Sequence, residues 1–135
     1  MRKLTASGWT MVVFGVSAGL LGVIGLAIPE VTLKLLDFPI LERDARANGD
    51  FTLTFLAASS MAAVNMGAYY LLAALADLRA FFRWTVPFRV LTFTMFCLAV
   101  FRGLAPTGFI GVATWELVGA IATAIALARE KKLTA

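Results

Sequence analysis

Four long apolar stretches, set apart by short charged clusters, dominate the chain. They run from about Trp9 to Ile28, Phe51 to Ala76, Trp84 to Arg102 and Phe109 to Ala128. About 20 apolar residues at 1.5 Å rise cross the hydrocarbon core of a bilayer as a helix. A backbone in hydrocarbon has no water to bond to, so each stretch is expected to be an α-helix that satisfies its own amides and carbonyls. The boundaries carry matching signals. Pro29 follows the first stretch and cannot continue a helix easily. Asn48-Gly49-Asp50 reads as a turn and a helix cap before the second. Asp77, Arg79 and Arg83 read as a short loop before the third, with Trp84 as an interfacial anchor and Pro87 in the first helical turn, where proline is tolerated. Gly103 to Gly108 is a tight turn, and the fourth stretch ends in Arg129-Glu130-Lys131-Lys132. The expected fold is therefore all-α and integral to a membrane: a four-transmembrane-helix bundle forming a single domain over residues 1–135.

Between the first and second spans, residues 30–50 are too short and too charged to cross. Val31, Leu33, Leu35, Leu36 and Phe38 alternate there with Glu30, Lys34 and Asp37, a pattern that suits an amphipathic segment lying at the interface. Glu42, Arg43, Asp44, Arg46 and Asp50 then mix signs at the rim and read as a solvated face of weak pairs. Gly15 and Gly19 form a small-xxx-small pair in the first span, and Gly8, Gly15 and Gly22 repeat at heptad spacing. Such a stripe lets another backbone approach closely, either a helix of the same bundle or a second copy packed through Gly15, Gly19 and Gly22. The opening Met1-Arg2-Lys3 resembles a signal peptide, but the apolar run after it exceeds the usual 7–15 residues and no small-x-small cleavage site closes it. It is read as a retained first span.

Composition sharpens this picture. Hydrophobic residues make up 61% of the chain and charged ones 15%, with a mean hydropathy of +0.88, and the charges sit at the span ends. The net charge of +4 thus reflects topology signals and contact with lipid headgroups rather than nucleic acid. Arg2, Lys3, Arg79, Arg83, Arg129, Lys131 and Lys132 outnumber Lys34, Arg43, Arg46 and Arg102 on the other side. That bias places both termini in the cytoplasm of a cell (inner) membrane, with residues 30–50 outside. With no histidine and the single Cys97, neither a zinc site, a haem ligand pair nor an intrachain disulfide can be assembled, so no cofactor or metal is expected.

An ionisable group inside a span costs about 2.5–3.5 kcal/mol on the insertion scale and is a functional candidate by default. Only Arg89 and Glu116 lie well inside spans, and Arg102 sits at an outer end. Glu116 falls near the middle of span four and Asn65 near the middle of span two, with Tyr69 one turn along on the same face as Asn65. Arg89 sits about 6 Å to the cytoplasmic side of the midplane at helical rise. Glu116 shares a stripe with Ala113, Gly119, Ala120 and Thr123, which should face the bundle interior. These positions define a candidate ligand pocket of Asn65, Tyr69, Arg89, Arg102 and Glu116. Two readings stay open. Glu116 is a structural partner of an arginine, or it is a functional group: a candidate catalytic acid/base, a proton carrier or a ligand anchor.

From Asn48 onward, over about two-thirds of the chain, the pattern resembles small four-span bacterial membrane proteins of the DoxX-like and BphX-like type. The turn Asn48-Gly49-Asp50 entering a span with Phe51 and Leu53, then Gly67, Arg102 and Glu116-Leu117, carry the likeness. The resemblance implies a four-helix bundle and, for most members, no assigned activity; some relatives are linked to redox or catabolic operons as accessory proteins. Small multidrug transporters share the size and span number, yet their essential carboxylate lies in the first span, where this chain has no ionisable residue. Three function classes follow. The first is a binding or accessory protein holding a lipid, quinone or other apolar small molecule. The second is a cofactor-free membrane enzyme of isomerase or cyclase type using Glu116, and the third is a homo-oligomeric proton-coupled exporter.

Overall fold

In a computed structural model that describes residues 4–133, the chain forms five helices: α1 (Ala6–Ala27), α2 (Pro29–Leu35), α3 (Thr52–Leu75), α4 (Arg79–Phe101) and α5 (Phe109–Leu133). A single 3-10 turn covers Arg43–Ala45. The four long helices are apolar and long enough to cross a membrane, so the protein is a multi-pass membrane protein built as an all-α four-helix bundle. Arg2 and Lys3, which enter the charge bias above, lie outside the described residues.

Local chemistry explains where the first three helices start. Thr5 caps α1, its hydroxyl accepting from the Gly8 amide at 3.1 Å. Pro29 opens α2, where its missing N–H costs nothing. The interfacial segment expected over residues 30–50 is helical for α2 alone, with Leu33 buried and Val31 and Leu35 exposed. At the start of α3, Gly49 takes a left-handed φ of 88°, and Asp50 accepts from the backbone amide of Thr52 at 2.9 Å and from its hydroxyl. Those two bonds, with Arg46 beside the carboxylate at 2.8 Å, hold the Asp50 carboxyl below its ordinary range. A lowered folded-state value means that the contribution is present at neutral pH and is lost as pH falls through that value. Protection of the Thr52 amide against hydrogen exchange is therefore expected to persist at neutral pH, to fall only once the pH drops below the ordinary carboxylate range, and to be lost at all pH in Asp50→Ala.

Three helices end in the same way. Asp37, Asp77 and Gly103 follow α2, α3 and α4 with φ of 65°, 50° and 70°. The next amides then reach back to carbonyls in the helix: Phe38 to Leu33 at 2.9 Å, Leu78 to Ala73 at 3.0 Å and Leu104 to Ala99 at 2.9 Å. Aspartate in this region is strained by about 1 kcal/mol, and both aspartates gain a partner that offsets it. Asp37 accepts from the Thr107 hydroxyl at 2.7 Å, and Asp77 pairs with Arg79 at 2.7 Å.

The abrupt end at Asp77 changes two expectations. Helix α4 begins at Arg79, so Arg79 and Arg83 are helical rather than part of a loop. Pro87 then lies inside α4 instead of in its first turn, and the Arg83 carbonyl loses its usual amide donor. At the other end of the chain, α5 continues to Leu133, so residues 129–132 are helical as well.

Helices α1 and α3 pack most closely, α4 packs on α5, and the two pairs join along α1 and α5. Glycine controls the first contact. A Cβ on Gly67 would lie 2.6 Å from the Gly15 carbonyl oxygen, and one on Gly22 would lie 2.6 Å from that of Ser60. Within the chain the glycine stripe of the first span thus packs on α3, with Gly15 and Gly22 buried. Met11, Phe14, Tyr70, Ala73, Ala74 and Phe82 form the core where the four helices converge, at the end holding the chain termini. Elsewhere large apolar side chains such as Leu20, Leu72, Phe88 and Ile121 face outward, as suits a protein whose solvent is lipid.

Candidate functional site

Near the middle of α4, Arg89 turns inward and is 3% exposed. Its Nε donates to Oε2 of Glu116 on α5 at 3.2 Å. Its Nη1 lies 3.4 Å from the Thr123 hydroxyl, which is itself 3.0 Å from the hydroxyl of Thr10 on α1. The Phe14 ring covers the guanidinium, with 3.3 Å from Cζ to the ring centroid, and the Tyr70 ring lies at 5.8 Å. A cation under an aromatic face in a dry interior is attracted to the ring quadrupole, by about 2 kcal/mol when fully desolvated. Phe14 in turn stacks on Trp115, with centroids 5.9 Å apart and planes within 10°. Four helices therefore converge on one side chain.

Gly119 makes room for it. A Cβ there would fall on the Arg89 guanidinium, so the arginine fits against α5 only because residue 119 has no side chain. Arg89 Nη2 occupies that gap and is buried without a hydrogen-bond partner among the described residues. An unsatisfied buried donor costs about 1–3 kcal/mol, more when charged. Glu116 engages the guanidinium through Nε alone, and its side chain remains 17% exposed. Beside this pair, a groove of about 280 Å³ runs between α1 and α5, walled by Trp9, Val13, Phe14, Trp115, Val118 and Ala122, with Arg89 and Gly119 also lining it. Its surface is almost wholly apolar.

The structure unites two of the five residues singled out from the sequence. Arg89 and Glu116 meet; Asn65, Tyr69 and Arg102 do not join them. Asn65 lies on the outward face of α3, and Tyr69 is 58% exposed beside it. Helical phase is the reason: Ser60, Gly67, Tyr70 and Ala74 form the buried face of α3, and Tyr69 is one residue, or 100°, away from it. Tyr70 is the aromatic that reaches the arginine. Arg102 is the exposed C-cap of α4, one residue beyond its last turn. The stripe expected to flank Glu116 does face inward, with Ala113, Ala120 and Thr123 buried.

Phe14, Thr10 and Tyr70 lie outside the set of residues that their polarity and mid-span position single out. The available signal was the small-residue stripe: Phe14 adjoins Gly15, and Tyr70 follows Gly67 by three. A second polar cluster was also unforeseen. Glu130, near the end of α5, accepts from the Ser7 amide and hydroxyl, each at 2.8 Å, and pairs with Arg79. Its carboxylate thus sits at the N-terminus of α1, where the exposed amides and the helix dipole favour negative charge. This cluster ties the ends of α1, α4 and α5 together.

Comparisons of the chain with protein-family models, with curated proteins and with solved structures find no match.

Proposed function

We propose that this protein binds an apolar small molecule or lipid in the groove between α1 and α5, using Arg89 as its polar anchor. One observation carries the reading: Arg89 Nη2 is a buried, charged donor without a partner among the described residues, and its side chain borders an apolar groove. A ligand with a hydrogen-bond acceptor, such as a carbonyl or carboxyl, and a hydrophobic body would satisfy both features at once. The stacked Phe14 and Trp115 rings on the groove wall favour a flat or chain-like body. Because the walls of the groove are outward-facing parts of α1 and α5, such a ligand would enter sideways from the bilayer.

The proposal places the protein in the cell (inner) membrane with both termini cytoplasmic, following the Lys/Arg bias. It also keeps the kinship with DoxX-like and BphX-like accessory proteins drawn from the Asn48 to Glu116 pattern. An acid/base or proton-carrying role for Glu116 has to break the bond to Arg89 Nε, which leaves a guanidinium uncompensated in the bundle. Binding requires no such step, and for that reason it is preferred over catalysis or proton-coupled export.

Ala122→Phe tests the reading, because Ala122 lines the groove from an exposed position and takes no part in the ion pair. Wild type purified in mild detergent is expected to retain an apolar molecule bearing an acceptor group, identified by mass spectrometry. The variant is expected to retain at least tenfold less of it while melting at the temperature of ligand-stripped wild type. If wild type carries nothing beyond the inventory of protein-free micelles, Arg89 and Glu116 serve only as a structural pair and the proposal fails.

A further inference from the structure

The outward face of α3 differs from those of the other spanning helices. On α1, α4 and α5 the exposed hydroxyls of the spans turn back onto their own helix: Ser17 donates to the Val13 carbonyl at 2.9 Å, Thr92 to Phe88 at 3.0 Å, Thr94 to Val90 at 2.9 Å and Thr114 to Ile110 at 2.8 Å. Lipid can cover such faces at little cost, because no donor is left open. Asn65 is different. It lies near the middle of α3, on its exposed side, and its amide makes no hydrogen bond within the described chain. An asparagine is too short to reach an interface from mid-span, and hydrocarbon offers it neither donor nor acceptor.

We infer that two copies of this chain associate through the outward face of α3, with the Asn65 amide bonded to Asn65 of the partner subunit. A carboxamide carries both donors and acceptors, so two of them satisfy each other across a two-fold axis. Copies inserted with the same topology and related by an axis normal to the membrane bring Asn65 to Asn65 of the partner subunit at the same depth. The neighbouring positions allow it. Ala58 and Ala62, a small-xxx-small pair on the same stripe, are both exposed and let the backbones approach. Tyr69 continues the stripe one turn further along. Within its own chain α3 packs on α1 and α2, and it meets α4 through Tyr70 against Phe81, so this face is covered by no other helix. The contact is independent of the groove and of its ligand.

Dimer formation in lipid vesicles, read by energy transfer between labelled copies over a series of lipid dilutions, tests the inference. Asn65→Leu is expected to raise the dissociation constant by about tenfold, the scale of an interhelical hydrogen bond in lipid, and Asn65→Gln to recover most of the loss. In a Cys97→Ser background, Ala62→Cys is expected to form disulfide dimers under mild oxidation. Val16→Cys, on the exposed face of α1, is expected to remain monomeric. A protein that is monomeric at every dilution overturns the inference, as does a dimer indifferent to Asn65→Leu or one that crosslinks through Val16→Cys. Loss of a co-purified lipid in Asn65→Leu without any dimer would make that lipid the occupant, and overturns it equally.

Discussion

Replacing Glu116 with leucine is expected to destabilise the protein by about 3 kcal/mol, the low end of the cost of stranding a buried charge, since Glu116 is 17% exposed. The loss arises from what remains rather than from what is removed. Arg89 stays 3% exposed, cannot give up its proton, and keeps no anion, just the long contact to Thr123 and the Phe14 and Tyr70 rings. The reciprocal change, Arg89→Met, is expected to cost less, about 1–2 kcal/mol. A carboxyl left alone can take up a proton, and a thioether packs well under the Phe14 ring. The double variant Arg89→Met, Glu116→Leu is expected to fall within about 1 kcal/mol of wild type, because an apolar pair of similar volume carries no desolvation penalty. Unfolding in mixed micelles of increasing denaturing detergent measures all three. Equal losses for the two single variants, or a double variant worse than either, would show that the pair is not the balanced unit seen in the structure.

Gly67→Val is expected to cost about 3 kcal/mol or more, at the upper end for overpacking, and to separate α1 from α3. The atoms a Cβ would meet there are the Gly15 carbonyl oxygen at 2.6 Å and the Gly19 amide nitrogen at 2.8 Å. Both belong to a helix backbone and cannot rotate aside as a side chain would. Gly19→Ala is expected to act in the opposite direction, because its own Cβ would meet nothing within 4 Å. Alanine there gains up to about 1 kcal/mol of helix propensity. Measuring both in the same denaturation series decides the point. If Gly19→Ala destabilises as much as Gly67→Val, the stripe faces a partner other than α3.

How much of the site could be read beforehand follows from the two helical faces of α3. Asn65 and Tyr69 drew notice because they are polar and mid-span, and polarity alone does not report which way a side chain turns. The buried face was written in Ser60, Gly67 and Ala74, small residues whose spacing also selects Tyr70. Arg89 and Glu116 stood out for a sound reason, since each must find compensation in a bundle interior. Their engagement with one another depended on the face that α4 turns to α5, where Gly119 leaves room for the Arg89 guanidinium. Nothing local announced that Asp77 would adopt a left-handed φ of 50° and let α4 begin two residues later.

By itself the sequence determined the class, the number of spans and their approximate limits, because a bilayer imposes one rule on every residue of a spanning segment: stay apolar and bond within the helix. That rule acts locally, so local pattern suffices to read it. Which helices pair, which glycines are pressed against a neighbour, and which of two adjacent tyrosines reaches the arginine were decided only by the tertiary structure. Inside a membrane every helix face is apolar enough to meet either lipid or protein, so hydrophobicity cannot choose between them. The choice rests on close fit between backbones, as at Gly15 and Gly67, and on the need of Arg89 for an anion and an aromatic face. Both are properties of segments far apart in the chain.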